Sequence, residues 1–222
     1  MVAIEIDPVL VHYLQQKFAT PIAEGRLIVI EGDVLSADWR TLLHSADSES
    51  SAQPVGDARP VIAGNLPYYI TSPILEKVFS LGEYWERAVF LVQAEVAARV
   101  AAEPGTRDFG YLSVMAQAQT HVEYLFDVSR EAFHPPPKVD SAVIRLTPHA
   151  AATADLAGFL RFAQICFRQK RKTLRNNLAP AYGKEAVDEL PEAKQRAEQL
   201  SVAQLIALHE KFSDPSGAGD AA

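Results

Sequence analysis

Short apolar runs alternate with segments of helical periodicity along the first two thirds of the chain. Runs rich in β-branched and other apolar residues predict strands at 2–6, 27–30, 61–63, 88–92, 122–128 and 142–146. Between them, apolar residues recur at helical spacing after Asp7 and Pro8, after Ser72 and Pro73, and over 94–102. Continuous apolar strands that alternate with helices predict an α/β fold with a mostly parallel, doubly covered sheet.

The last third of the chain has a purely helical pattern. Residues 148–153 form a connector, and Asp155 is placed to cap a helix that carries Phe159 and Ala163 on one face. We therefore predict an α/β catalytic-type domain over 1–148, a small all-helical domain over 149–212 and a disordered tail over 213–222. The polar stretch 45–59 predicts a mobile surface excursion.

Composition places the chain among globular proteins of a reducing compartment. It has 222 residues, of which 48% are hydrophobic, and one cysteine, Cys166, which cannot form an internal disulfide and lies on an apolar helix face typical of inert core. Neither a signal-peptide pattern nor a long apolar span is present, so we expect a cytoplasmic protein without a membrane partner. The six histidines show no metal-ligand spacing, and no metal site is predicted.

Charge is distributed unevenly. The net charge is −7, yet residues 156–184 contain no acidic residue and seven basic ones, five of which fall within the sequence FRQKRKTLRNNL: Arg168, Lys170, Arg171, Lys172 and Arg175. Read as one basic helix over 167–178, this segment aligns Arg168, Lys172 and Arg175 on one side. Charge runs are usually solvated faces, but the absence of acids favours RNA or DNA as the partner.

Three polar residues follow successive predicted strands: Glu5, Asp33 (with Val34 beside it) and Asn65. Ligands of parallel α/β sheets bind outside the carboxyl ends of the strands, so we expect these residues to converge on one crevice. A carboxylate in the position of Glu5 can accept hydrogen bonds from ribose hydroxyls, and one in the position of Asp33 from an adenine amino group. Each is also compatible with an ordinary strand end or turn.

The sequence Asn65, Leu66, Pro67, Tyr68 carries the more specific signal. An adenine amine is a weak nucleophile because its lone pair is delocalised into the ring. The oxygen of Asn65 and a backbone carbonyl held by Pro67 can bind its two N–H groups out of plane, and Tyr68 offers a face for stacking. The alternative is a plain turn between strand and helix.

A proline-rich loop precedes the last predicted strand. Pro135, Pro136 and Pro137 stiffen an extended backbone, which can present Phe133 as a second aromatic wall around a flipped base. Two alternatives are a connector whose Phe133 lies in the core and a ligand for a polyproline-binding partner.

Taken together, these segments resemble one family. VAIEIDPVL, EGDVL, AGNLPYYITSPIL, FLVQAEVAARV, GTRDFGYLSVMAQ, FHPPPKVDSAVIRL and FRQKRKTLRNNL occur in this order. The chain resembles the small-subunit ribosomal RNA adenine N6,N6-dimethyltransferases, relatives of the erythromycin-resistance methyltransferases, from residue 2 to about residue 212.

The resemblance implies a Rossmann-like methyltransferase sheet and S-adenosylmethionine as cofactor. It implies that Glu5 binds the cofactor's ribose and Asp33 with Val34 its adenine, that Asn65 and the Leu66–Pro67 backbone hold the target amine, and that Tyr68 and Phe133 stack on the target adenine. The implied product is dimethyladenosine at two adjacent positions near the 3′ end of 16S rRNA. The implied partner is this RNA or the precursor 30S subunit, and we expect a monomer.

The chain departs from the family pattern at its beginning. The glycine-rich turn normally precedes the ribose-binding acid by about 20 residues, whereas only four residues precede Glu5 here. We therefore expect an N-terminally truncated member of the family, with a sheet that lacks its first strand. The strands at 2–6 and 61–63 then either face a gap or pair directly, and S-adenosylmethionine binds weakly or not at all. Two further functions stay open: a non-catalytic ribosome-assembly factor, and a methyltransferase of large-subunit RNA.

Overall fold

The computed structural model describes residues 1–42 and 59–213. The predicted surface excursion and the predicted tail lie outside the described residues, apart from Arg59 and Ser213. No described helix combines the length and the apolar character that crossing a membrane requires.

Strands and helices alternate in the first part of the chain, as the sequence predicts, and helices follow. The strands are β1 (Val2–Glu5), β2 (Ile28–Glu31), β3 (Val61–Asn65), β4 (Arg87–Gln93), β5 (Thr120–Val128) and β6 (Ser141–Pro148). The helices are α1 (Pro8–Lys17), α2 (Ala19–Ala23), α3 (Thr71–Phe79), α4 (Ala94–Val100), α5 (Tyr111–Gln117), α6 (Leu156–Cys166), α7 (Leu174–Tyr182), α8 (Lys184–Asp188) and α9 (Val202–Ser213). Helix α5 has no counterpart among the predicted elements.

The described strands form two sheets. Strands β1 and β2 pair in parallel, whereas the second sheet has the order β3-β4-β6-β5. Direct pairing of β1 with β3, one of the two expected arrangements, is not present among the described residues, since these strands belong to different sheets. Strand β6 is antiparallel to both β4 and β5, so β4 and β5 run in the same direction and β6 is reversed between them. Together with the parallel β1–β2 pair, this agrees with the expectation of a mostly parallel sheet, from which β6 departs. The connection over 129–140 holds only a 3-10 turn, and a parallel return needs a longer crossover.

The chain divides into two compact units. The first comprises Met1–Ile62 and Tyr69–Glu86, and the second comprises Ala63–Tyr68 and Arg87–Ala222. In the first unit, Asp7 caps α1 by accepting a hydrogen bond from the Val9 amide at 2.8 Å, as predicted. Its buried apolar residues include four on α3: Ile74, Leu75, Val78 and Phe79. The domain boundary at 148/149 stays a prediction.

The second unit combines the four-stranded sheet with the late helices. Along β4 and β6 every second side chain is buried, and Phe90 lies opposite Ile144 in the antiparallel register. A further core joins residues around α5 to α6, α7 and α9, with Phe109, Val114, Phe159, Phe162, Leu174 and Leu178 all buried. Each such side chain contributes about 1.5–3 kcal/mol. Cys166 lies in this core, which confirms its predicted place, and burial raises the pKa of its thiol to about 12.

Candidate active site and nucleic-acid interface

Glu5 and Asp33 lie at the same edge of the parallel β1–β2 pair. Glu5 is the last residue of β1 and is in register with Glu31, the last residue of β2, two positions before Asp33. The Gly32 amide donates to the Glu5 carbonyl at 2.9 Å, so the two strand ends are joined where Asp33 begins. The carboxyl-end placement that the sequence predicts for Glu5 and Asp33 is therefore confirmed.

Local hydrogen bonds fix both carboxylates. Oε1 of Glu5 accepts from the amides of Ile6 and Asp7 at 2.8 and 2.9 Å, whereas Oε2 has no partner among the described residues. Asp33 Oδ1 accepts from the Leu35 amide at 2.8 Å. Fixed acceptor oxygens of this kind fit the ribose hydroxyls and exocyclic amine of an adenosine, so the set suits S-adenosylmethionine. Half-buried Val34 adjoins Asp33, and its carbonyl accepts from Trp39 Nε1 at 2.8 Å.

The NLPY turn (residues 65–68) leaves strand β3 and belongs to the second unit. Its backbone is anchored to the sheet, because the Leu66 amide donates to the Leu91 carbonyl of β4 at 3.0 Å and the Leu66 side chain is buried. The Asn65 side chain, by contrast, is exposed and has no hydrogen-bond partner in the described part of the chain. The turn therefore combines a fixed backbone with a free carboxamide. Convergence of Asn65 with Glu5 and Asp33 stays a prediction.

Tyr68 is held by a residue that follows 73 positions later. Its hydroxyl and Ser141 Oγ form a hydrogen bond of 2.8 Å, and Ser141, the first residue of β6, is completely buried. This contact fixes the direction of the half-buried Tyr68 ring at the end of the NLPY turn. Sequence reasoning missed Ser141, although its signal was present as a polar residue at the start of an apolar strand.

Phe133 lies on a loop whose two ends are closed by Asp140. Asp140 Oδ1 accepts from the Arg130 amide at 3.0 Å, and the Asp140 carbonyl accepts from the amide of Ala94 at the start of α4 at 3.0 Å. Phe133 itself is extended and only half-buried, so it is not a core residue. Asp140 directly precedes Ser141, so neighbouring residues hold the Phe133 loop and the Tyr68 ring. Asp140 was a second positioning residue that the sequence reasoning did not identify.

The predicted basic helix over 167–178 is wrong as a single element. Helix α6 ends at Cys166, residues 167–173 form turns and a bend, and α7 begins at Leu174. We call residues 167–173 the cationic turn. Because the helix is interrupted, Arg168 and Lys172 do not share a helical stripe with Arg175. The interruption arises from tertiary contacts, since the Leu174 amide donates to the Gln195 carbonyl at 2.8 Å.

The five candidate RNA-binding residues fall into two groups. Arg175 forms a two-point ion pair with Asp188, with an Nη2–Oδ2 distance of 2.7 Å, and Lys170 Nζ donates to the Arg107 carbonyl. Arg168, Arg171 and Lys172 are exposed, and their side chains have no partner among the described residues. The available cations are therefore these three.

Comparison with solved structures identifies the fold first. A dimethyladenosine transferase from Plasmodium falciparum matches with a TM-score of 0.77 at 22% identity, covering 96% of this chain and 81% of that one. The 23S rRNA methyltransferase ErmE matches with a TM-score of 0.64 at 24% identity, with 96% and 82% covered. The fold is that of an α/β methyltransferase with C-terminal helices.

The chain belongs to the ribosomal RNA adenine dimethylase family, whose model matches residues 1–214. It is 42% identical over 210 residues to the ribosomal RNA small subunit methyltransferase A of Chlorobium chlorochromatii, covering 94% of this chain and 73% of that relative. The protein of the same description from Pseudomonas aeruginosa is 36% identical over 218 residues, with 96% and 76% covered. The family resemblance predicted from the sequence motifs is confirmed.

Proposed function

We propose that this chain transfers methyl groups from S-adenosylmethionine to N6 of two adjacent adenosines near the 3′ end of 16S rRNA, within the precursor 30S subunit. Its family and the description of its relatives support this function. The observation that carries it is the free carboxamide of Asn65 on a turn whose backbone is anchored to the sheet.

Asn65 makes the target nitrogen nucleophilic. Its Oδ1 and a backbone carbonyl of the NLPY turn accept the two N–H groups of the amine and draw them out of the ring plane, which localises the lone pair on N6. When bound, S-adenosylmethionine supplies an electrophilic sulfonium methyl group. The lone pair that Asn65 localises on N6 would take up this methyl group, the electrons of the carbon–sulfur bond would stay on sulfur, and an N6 proton would pass to water.

Tyr68 and Phe133 hold the base during this step. An adenine that leaves its stack loses neighbouring bases, and aromatic faces replace them. The Tyr68 hydroxyl is held by Ser141, and the Phe133 loop is closed by Asp140, so both rings are placed before the base arrives. Because both rings are already in place, binding of the base causes a smaller loss of conformational entropy.

The cofactor side rests on the β1–β2 pair. Glu5 would hold the ribose hydroxyls of the cofactor, since Oε1 is bonded to the amides of Ile6 and Asp7 and the other carboxylate oxygen is left for the ligand. Asp33 accepts from the adenine amine, and Val34 adds an apolar contact beside it. The cationic turn contacts RNA phosphates through Arg168, Arg171 and Lys172, and the protein works as a monomer in the cytoplasm.

The test uses the purified chain, isotopically methyl-labelled S-adenosylmethionine and 30S particles from cells that lack the modification. Because weak cofactor binding is expected, S-adenosylmethionine is supplied at high concentration. We then expect label at two adjacent adenosines near the 3′ end of 16S rRNA, mapped by primer extension, and none with Asn65→Ala. Binding of the chain to 30S particles without label would overturn the enzymatic proposal and favour an assembly factor. Label confined to 50S particles would overturn the choice of substrate.

A further inference from the structure

The cationic turn is held in place by a buried side chain from the next helix. Asn177 of α7 is 5% exposed, and its Nδ2 donates to the Cys166 carbonyl at 2.7 Å and to the Gln169 carbonyl at 3.2 Å. The first acceptor is the last residue of α6, and the second lies within the turn. One amide group thus joins the end of one helix to the middle of the turn that follows it.

The Cys166 carbonyl, at the end of α6, needs a partner. The last carbonyls of a helix have no intrahelical donor, and a polar group that is buried without a partner is destabilising. Gln169 O also accepts from the Lys172 amide at 2.9 Å. The bond from Asn177 therefore reinforces the same small loop that sets the spacing between Arg168 and Lys172.

The choice of asparagine at this position is informative. Asn177 Oδ1 is buried and has no hydrogen-bond partner among the described residues, so the side chain carries an unpaired acceptor in the core. A leucine, like its neighbour Leu178, would fill such a position without that unfavourable contribution. What leucine lacks is the pair of donors that the turn uses.

We propose that Asn177 is a positioning residue for RNA binding. Its amide fixes the backbone of the cationic turn before RNA binds, so that Arg168, Arg171 and Lys172 contact RNA phosphates without a further loss of backbone entropy. This inference rests on the proposed function, because it requires that the turn binds RNA. Fixing each backbone residue has an entropic cost, and a turn that is already fixed does not incur it on binding.

The decisive variant is Asn177→Asp, which keeps the shape and removes both donors. Asn176→Asp is the matched control, since Asn176 is the exposed neighbour on the same helix and receives the same negative charge. We expect Asn177→Asp to lower the affinity of the full chain for a 3′-terminal 16S rRNA fragment about tenfold, and Asn176→Asp less than about threefold. The dependence of affinity on salt should become shallower only in Asn177→Asp, because fewer phosphates are neutralised at once.

A local readout separates this role from a general loss of stability. Hydrogen exchange of the Lys172 amide should become faster in Asn177→Asp, while the buried amides of β4 and β6 stay protected. If Asn177→Asp does not fold, Asn177→Ser carries the test, since serine is uncharged and too short to reach both carbonyls. Its expected results are the same.

Two outcomes overturn different claims. If a folded Asn177 variant binds RNA with the affinity and salt dependence of the unmodified chain, or if Asn176→Asp loses as much, the positioning role of Asn177 is wrong. If replacing Arg168, Arg171 and Lys172 together by glutamine leaves RNA binding unchanged, the turn is not an RNA surface and the proposed function loses its RNA contacts. The second result is independent of any Asn177 variant.

Discussion

The NLPY turn and the cationic turn differ in how their backbones are held and in which of their side chains are left free. In the first, the backbone is tied directly to the sheet through the Leu66 amide, and the reactive side chain of Asn65 is left free. In the second, the Asn177 side chain holds the backbone by donating to the Gln169 carbonyl, and one of the turn's own cations, Lys170, donates to the Arg107 carbonyl. Lys170 therefore helps to hold this turn in place and is not one of its free cations.

The difference shows that residue type alone does not identify a functional side chain. Arg175 and Arg168 are both arginines within one basic motif, yet Arg175 is paired with Asp188 while Arg168 is unpaired among the described residues. An ion pair that is already satisfied offers less to a phosphate, because the pair must first be broken. The contacts of each turn therefore decide which of its residues act.

The largest expected effect is on Asn65. Asn65→Ala should lower the rate of methyl transfer to 30S particles at least about 100-fold, as removal of one preorganised polar group at a reacting centre commonly does. RNA affinity should change less than about twofold, because the cationic turn is untouched. Single-turnover kinetics and filter binding measure the two quantities, with Asn176→Ala as the control. A rate that stays within about threefold would contradict the role of the NLPY turn.

The next effect separates free from paired cations. The triple variant Arg168→Gln, Arg171→Gln, Lys172→Gln should lower RNA affinity about 10- to 100-fold. It should also reduce the slope of log affinity against log salt concentration by up to about three. Arg175→Gln should leave the slope nearly unchanged and lower stability by at most about 1 kcal/mol, since its pair with Asp188 is half-exposed. Binding titrations at several salt concentrations and urea unfolding provide the readouts. If the triple variant and Arg175→Gln show the same dependence of affinity on salt, the distinction between free and paired cations is wrong.

The smallest effect concerns the hydroxyl that holds Tyr68. Tyr68→Phe keeps the stacking ring and removes the bond to Ser141, so we expect a 2- to 10-fold loss in kcat, corresponding to one neutral hydrogen bond. Ser141→Ala should give a similar loss, and the double variant no further one, because the two changes break the same contact. Tyr68→Ala should lose much more. Full additivity of the two mild variants would show that Ser141 acts on the site by another route.

Local patterns predicted the early elements well. The cap by Asp7, the strand ends at Glu5 and Asn65, and the start of α6 at Asp155 all depend on neighbours within a few residues, and all are present. The prediction of one basic helix over 167–178 was wrong for the opposite reason, because it depends on contacts with residues outside the local pattern. Helical spacing continues across 167–178, but α6 ends at Cys166, whose carbonyl accepts from Asn177 eleven positions away, and the Leu174 amide donates to the Gln195 carbonyl. No periodicity signals such a contact.

By itself, the sequence determined the positions of the strands and of several helices, the family, and the identity of the polar residues at the strand ends, because these follow from short-range periodicity, capping and ordered motifs. Only the tertiary structure decided the antiparallel placement of β6, the contact of Tyr68 with Ser141 and the division of the basic residues into paired and free ones. Each of these depends on groups far apart along the chain, and their meeting is set by how strands pair and helices pack.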